Sequence, residues 1–246
     1  MLNSEFFIVR PVVFEGKAAG LFFLEVLSVF RYTFCSIRAS MNLMQLPLFP
    51  LQAVLLPHAA LPLHIFEERY KTLILRCIRE SSEFGIVLSR EQSFAMVGCA
   101  AGITSVMRTY DDGRMDILAE GRERFRVVEV RTTAAPYAIA DADFFTDDDP
   151  TADPVLVKET VELYNEVVRI VYGGQVKELD PDAAVRGIAF VMAQKAGLDL
   201  EQRQTILELR SERQRLEMLR DYLVVVVPRL RKFEEVERIV RSDGYL

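Results

Sequence analysis

The chain has 246 residues, 50% apolar and 27% charged, with a net charge of −6. That length suits one or two domains with a sizeable core. The negative balance argues against a general polyanion binder, and the ordinary apolar and charged fractions place the chain among globular proteins.

Residues 1–42 differ in texture from the rest. Gly20 to Phe34 is rich in Leu, Phe and Val, but Glu25 and Arg31 interrupt it, so it is too short and too charged for a membrane span. Glu25 and Arg38 also weigh against a signal peptide. With Met41 and Met44 close by, residues 1–42 are expected to be a poorly ordered extension or the product of an upstream start. Cys35, Cys77 and Cys99 form no CxxC pair. An odd, scattered set argues against a disulfide framework and for a reducing cytosol, so a cytoplasmic location is expected. Each cysteine reads as a small buried hydrophobe.

From 43 to 149 the chain reads as strands with one inserted helix. Pro47, Pro50, Pro57 and Pro62 punctuate a run of Leu, Val and Phe. Proline lacks an N–H and pushes its predecessor into extended backbone, so short, irregular strands are expected, with edges and corners at the prolines. Phe66, Tyr70, Leu73 and Cys77, with Ile74 and Ile78 alongside, make one apolar face of a helix. Glu67 and Glu68 stand in its first turn, where the helix dipole favours negative charge. Phe84–Ser89 reads as a strand. Residues 103–110 and 114–119 flank Asp111-Asp112-Gly113, a hairpin signal. Residues 124–130 alternate with Phe125 and Val127 inward, and 137–145 form the last strand candidate.

Asp141, Asp143, Asp147, Asp148, Asp149 and Asp153, with Pro150 and Pro154, read as a solvated connection, because dense like charge repels and is costly to bury. A calcium loop would need a central Gly and a terminal Glu that this run lacks. From 150 to 246 the period is helical. Val157, Val161, Tyr164, Val168 and Val171 share a face that Gly173-Gly174 stops. Asp180-Pro181 signals a new helix with Val185, Ile188 and Met192 on its apolar side, ending at Gly197. Asp199 with Gln202, and Ser211 with Gln214, fit capping boxes. The last helix carries an apolar stripe from Leu216 to Val240, and Pro228 within it predicts a kink.

The motifs resemble the Lon protease N-terminal, substrate-binding domain family. Leu46-Pro47-Leu48-Phe49-Pro50-Leu51 is followed by Leu61-Pro62-Leu63-His64-Ile65-Phe66-Glu67 and Arg69-Tyr70. Phe84-Gly85-Ile86-Val87 is similar to the family's next strand. Val97-Gly98-Cys99-Ala100 is similar to its small-residue turn. Asp112-Gly113-Arg114 and Gly121-Arg122-Glu123-Arg124-Phe125-Arg126 are similar to the later hairpin and the Gly-Arg-x-Arg-Phe signature, and Pro136-Tyr137 to the approach to the final strand. The family places Pro-Gly where Pro57-His58-Ala59 stands, which leaves that turn type open, because His tolerates left-handed geometry less well than Gly.

The resemblance implies an α+β fold. A PUA-like β-barrel-type domain with one inserted helix would be followed by a C-terminal helical bundle, ending in the long helix kinked near Pro228. It implies non-enzymatic binding of protein substrates or unfolded, peptide-like segments, with a separate protease or chaperone as a further partner and an adaptor role in proteolysis. No cofactor, metal or membrane partner is implied. The sequence holds no G-x-x-x-x-G-K-[ST] loop, G-x-S-x-G elbow or H-E-x-x-H helix. The positions singled out for partner contact are Phe49, Pro50, Pro62, Phe66, Glu67, Arg69, Tyr70, Arg124 and Phe125. For Phe49, Phe66 and Tyr70 the competing reading is core packing. For Glu67 and Arg69 it is helix-end electrostatics and an ion pair. An RNA-binding PUA-like module is the alternative function. Against it, six arginines between Arg108 and Arg131 are balanced by six acids in the same stretch, whereas tracking a phosphate backbone takes uncompensated positive charge. A hydrolase built on serines around Lys195 or His64 has no supporting spacing.

Overall fold

The structure, a computed structural model, describes residues 43–242 apart from 92, 132–133 and 183–185. The expected extension over 1–42 lies outside the described residues, as does Val185. The fold is α+β and divides into two compact units. The first holds the residues up to Leu55 together with Ala60–Phe145, and the second holds Leu56–Ala59 with the residues from Thr146 onward.

The first unit is a mixed sheet of β1 (Met44–Leu51), β2 (Ala60–Ile65), β3 (Phe84–Ser89), β4 (Phe94–Thr109), β5 (Met115–Arg131) and β6 (Ile139–Phe145), with helix α1 (Glu68–Glu80) between β2 and β3. The strand order is β2-β5-β4-β3-β1-β6, and a further β5–β6 pairing closes five of the strands into a ring. All five send apolar side chains into one cluster that includes Leu48, Val87, Ala100, Phe125 and Ala142.

Phe125 fixes how closely those strands approach. Its ring lies where a Cβ on Gly85 would meet it at 2.5 Å, or one on Gly98 at 2.7 Å. Val97-Gly98-Cys99-Ala100, expected as a turn, is therefore the middle of β4. Its small residues make room for a ring rather than for a reversal of the chain.

The prolines of β1 do not mark an edge. β1 pairs antiparallel with β6 over Met44–Pro47 and then parallel with β3 over Leu48–Leu51, and the N–H of Leu48 donates to Ala138 O at 2.8 Å. Successive N–H groups alternate in direction along a strand. The Pro47 nitrogen therefore points to the β3 side before that pairing begins, and the Pro50 nitrogen to the β6 side after that pairing has ended. A change of partner in mid-strand accommodates two prolines without losing ladder bonds.

The aspartate run is likewise not a simple solvated linker. Asp141 lies in β6, 2% exposed, and accepts two 2.7 Å bonds from Arg131. Asp147 accepts from Arg215 at 2.8 Å, Asp148 pairs with Arg210 at 2.7 Å, and Asp149 accepts from the N–H and hydroxyl of Thr151. The Asp153 side chain caps the next helix through the N–H of Val155. Arg131, Arg210 and Arg215 offset the cost of crowding Asp141, Asp148 and Asp147.

The second unit contains α2 (Pro154–Tyr172), α3 (Ile188–Ala193), α4 (Leu200–Glu208) and α5 (Glu212–Ser242). Val161, Tyr164 and Val168 are buried on α2, whereas Val171 is 53% exposed, so the packed face is shorter than its periodicity. Gly173 ends the helix in left-handed backbone. The helix expected to start at Asp180-Pro181 begins only at Ile188; the Asp180 carboxylate accepts from the N–H of Asp182 within a turn. The Asp199–Gln202 capping box is complete. At Ser211 the hydroxyl accepts from the Gln214 N–H at 3.4 Å.

Arg215, fully buried, anchors this unit. Its guanidinium bonds Glu212, Asp147 and the carbonyl of Leu209 and lies 4.2 Å from the centre of the Phe190 ring. Helix α5 runs 31 residues through Pro228.

Candidate functional site

The site forms where β4 outruns β3. Pairing of β3 with β4 ends at Phe84–Ala101, while β4 continues to Thr109 alongside β5 only. Over residues 102–109 one edge of β4 thus has no strand partner among the described residues. Register shifts between Ile103 and Ser105 and between Val106 and Arg108 bend this stretch, and the Thr104 hydroxyl ties it to Leu118 O at 3.0 Å.

A groove of about 410 Å³ runs beside this edge. Its walls are the end of α1 (Cys77, Ile78), residues 81–83, Arg122, and every residue of β4 from Gly102 to Val106. Side chains alternate between the faces of a strand, so five consecutive lining residues mean that the groove follows the backbone edge. Helix α1 stops short of covering it because Ser81 turns the chain in left-handed backbone, with N–H bonds returning to Cys77 and Ile78. At the opposite wall the Arg122 guanidinium lies over Gly102, where a Cβ would sit 3.1 Å from Nε. Of the lining residues, Ile78 and Val106 are 40% and 44% exposed, an apolar part of the groove wall.

A second edge belongs to β2, which pairs only with β5. That edge carries Pro62, which removes a donor and blunts it against further pairing. Residues 102–109 contain no proline, so of the two edges β4 is the better template for an added strand.

On the same three-stranded extension the Nδ1–H of His64 donates to Asp116 at 2.6 Å and the Tyr110 hydroxyl donates to its other oxygen at 2.9 Å. Burial pushes the Asp116 carboxyl up, but these two hydrogen bonds outweigh it and hold the group below the usual aspartate range. Asp116 in turn raises the Tyr110 phenol. Lys195 lies 5.8 Å from the centre of the Tyr172 ring. Burial pushes the thiol of Cys77, in the groove wall, up from its ordinary value, and that of Cys99 up to about 12. Among the described residues no three His, Cys, Asp or Glu side chains gather as metal ligands, and no helix is long and apolar enough to cross a membrane.

The residues singled out from sequence fall into two groups. Glu67, Arg69, Tyr70 and Phe49 meet at the start of α1. Arg69 Nε donates to Glu67 at 2.9 Å, its guanidinium lies 4.5 Å from the centre of the Tyr70 ring, and that ring is 4.1 Å from Phe49. Phe49 and Tyr70 are buried, and burial raises the Tyr70 phenol. Phe66, half-buried, stacks on His64 at 6.1 Å. Pro50 and Pro62 are half-buried within β1 and β2. Arg124 is 5% exposed against the Phe145 ring, and Phe125 fills the ring interior. None of these nine lines the groove.

The sequence gives 103–110 as a hairpin strand but none of the nine contact candidates falls on 102–109, because an open edge is a property of where a neighbouring strand stops, which no local motif encodes. Its arginines are largely committed. Arg114 bonds Asp112, Arg122 pairs with Glu120, and Arg108 stacks on Tyr110, so the extension offers a phosphate backbone little uncompensated charge.

Residues 45–225 match the family model described as the ATP-dependent protease La (LON) substrate-binding domain. Among solved structures, the chain is similar to a Lon N-terminal domain protein from Xanthomonas campestris, with 28% identity, 72% of this chain and 96% of that one covered, and a TM-score of 0.58. It also shares the fold of the N-terminal domain of the Mycobacterium avium complex Lon protease, at 16% identity, with 74% and 98% covered and a TM-score of 0.61.

Proposed function

The chain belongs to the family of the ATP-dependent protease La (LON) substrate-binding domain, and we propose that it holds extended, unfolded segments of protein substrates by adding them as a strand to the free edge of β4. One observation carries this: the unpaired, proline-free edge of β4 over 102–109 lies along a groove whose wall includes the exposed Ile78 and Val106. Main-chain hydrogen bonds to the edge would supply affinity independent of client sequence. Ile78 and Val106 would favour clients with apolar side chains facing the groove. Recognition of this kind needs no nucleophile, metal or cofactor, and we take the chain to act by binding in the cytoplasm, handing clients to a separate protease as an adaptor.

Binding of a reduced, carboxymethylated client labelled with a fluorophore tests the reading. Val106→Lys places a flexible charge on the edge, a device that natural sheets use to prevent added pairing. It is expected to weaken binding by about tenfold or more, with the thermal midpoint unchanged because Val106 is exposed. Equal affinity of the variant and the original chain would remove the β4 edge from the proposal.

A further inference from the structure

The free edge of β4 is closed at one end. β3 begins at Phe84, opposite Ala101, and residues 81–83, which lead into it, belong to the groove wall. A strand added along 102–109 therefore has its last pairing position at Gly102, because a further residue would meet the start of β3. Such a segment either leaves the plane of the sheet there or ends.

Pairing direction decides which end of the segment reaches Gly102. The strands of this extension, β2, β5 and β4, pair antiparallel, and antiparallel pairing is the more stable per residue. A segment antiparallel to β4 runs the same way as β3, from Thr109 toward Gly102. It brings its C-terminal end to the closed end of the groove.

Arg122 stands at that end. A Cβ on Gly102 would lie 3.1 Å from its Nε and 3.6 Å from its Nη2, so the glycine places no side chain between this edge of the guanidinium and the last pairing position. Arg122 has a partner on its own chain, but Nη1 approaches Glu120 only to 3.2 Å, longer than a charge-assisted bond usually is. That contact leaves the Nε–Nη2 edge, whose two donors match both oxygens of a carboxylate. Glu83 is the other charged residue of the groove wall and would favour an α-ammonium if the segment ran the opposite way.

On the basis of strand addition at 102–109, we propose that the groove takes the C-terminal ends of clients in preference to internal segments, with the client α-carboxylate held by Arg122.

Calorimetric titration of the full chain with a short, unlabelled apolar peptide tests this. Amidating the C-terminus of the peptide, or extending it by a Gly-Ser tail, should weaken binding by about tenfold. Acetylating its N-terminus should change affinity by less than about twofold. Arg122→Gln, shown to be folded by circular dichroism, should bind the acid and the amide alike, about as weakly as the original chain binds the amide. Acid and amide forms that bind the original chain equally, yet both lose affinity to Val106→Lys, would overturn C-terminal capture and leave strand addition standing. Absence of binding by either form would remove both. Weakening by N-terminal acetylation instead of amidation would overturn the direction, and discrimination that survives Arg122→Gln would overturn the role of Arg122.

Discussion

Two positions show how single residues set this structure. Gly85 and Gly98 admit the Phe125 ring, but differently: a Cβ on Gly85 would strike only side chains, those of Phe125 and Leu46, whereas one on Gly98 would also strike the backbone oxygen of Ile86. Either alanine substitution should destabilise the protein by about 1–3 kcal/mol through overpacking. In a Phe125→Leu background the penalty of Gly85→Ala should shrink, while that of Gly98→Ala should persist, because a backbone atom cannot repack. Urea midpoints of the two double-mutant cycles check this. Asp116 gives a pH-dependent counterpart. Its folded-state pKa lies below the unfolded value of about 3.9, so the stability it contributes is complete above that value and is lost as pH falls through the folded one. The stability gap between the original chain and Asp116→Asn should therefore be constant near neutrality and close on acidification; a gap that widens in acid would contradict the assignment. At this scale the sequence was legible for caps such as Asp199 and Gly173. It was misleading for the aspartates, whose arginine partners lie far along the chain. It left open the turn at His58, which takes left-handed backbone at φ 62° where the family has Gly.

Elements follow from the sequence where the signal is local, and depart from it where pairing is non-local. Strand β3 and helix α1 were readable from periodicity, because burial on one or both faces leaves a pattern in consecutive residues. β1 was read as an edge because it contains two prolines. The change of partner between β6 and β3 that tolerates them depends on three strands at once. β4 reads in the sequence as a small-residue turn over 97–100 and a strand over 103–110, and β5 as two short strands, because bulges break the alternation that marks a continuous one. In α5, Pro228 removes one backbone bond to the carbonyl of Val224, a residue that is 53% exposed. Pro228→Ala should restore that bond and raise stability by about 1–2 kcal/mol, less than the ~3 kcal/mol of an unadapted interior proline. Calorimetry together with hydrogen exchange at position 228 would register both effects. An unchanged midpoint would mean that the helix already accommodates the ring without cost.

At the level of the whole molecule, the family and the α+β class were accessible from ordered motifs spanning 46–137, and the family match over residues 45–225 agrees with them. The place where a client would bind was not. The most specific motifs, around Phe49, Tyr70 and Phe125, encode the packing that shapes the barrel, and they conserve no trace of the groove that this packing leaves beside β4. The proposed client site lies in what the core does not cover: a strand longer than its neighbour, beside the end of α1. Hydrogen exchange of the backbone amides, with and without a saturating unfolded client, tests this most directly. New protection is expected across residues 102–109, at amides that lack a strand partner in the free chain, with little change in β1 or β3. Protection confined to other surfaces, with 102–109 exchanging as fast as before, would contradict it.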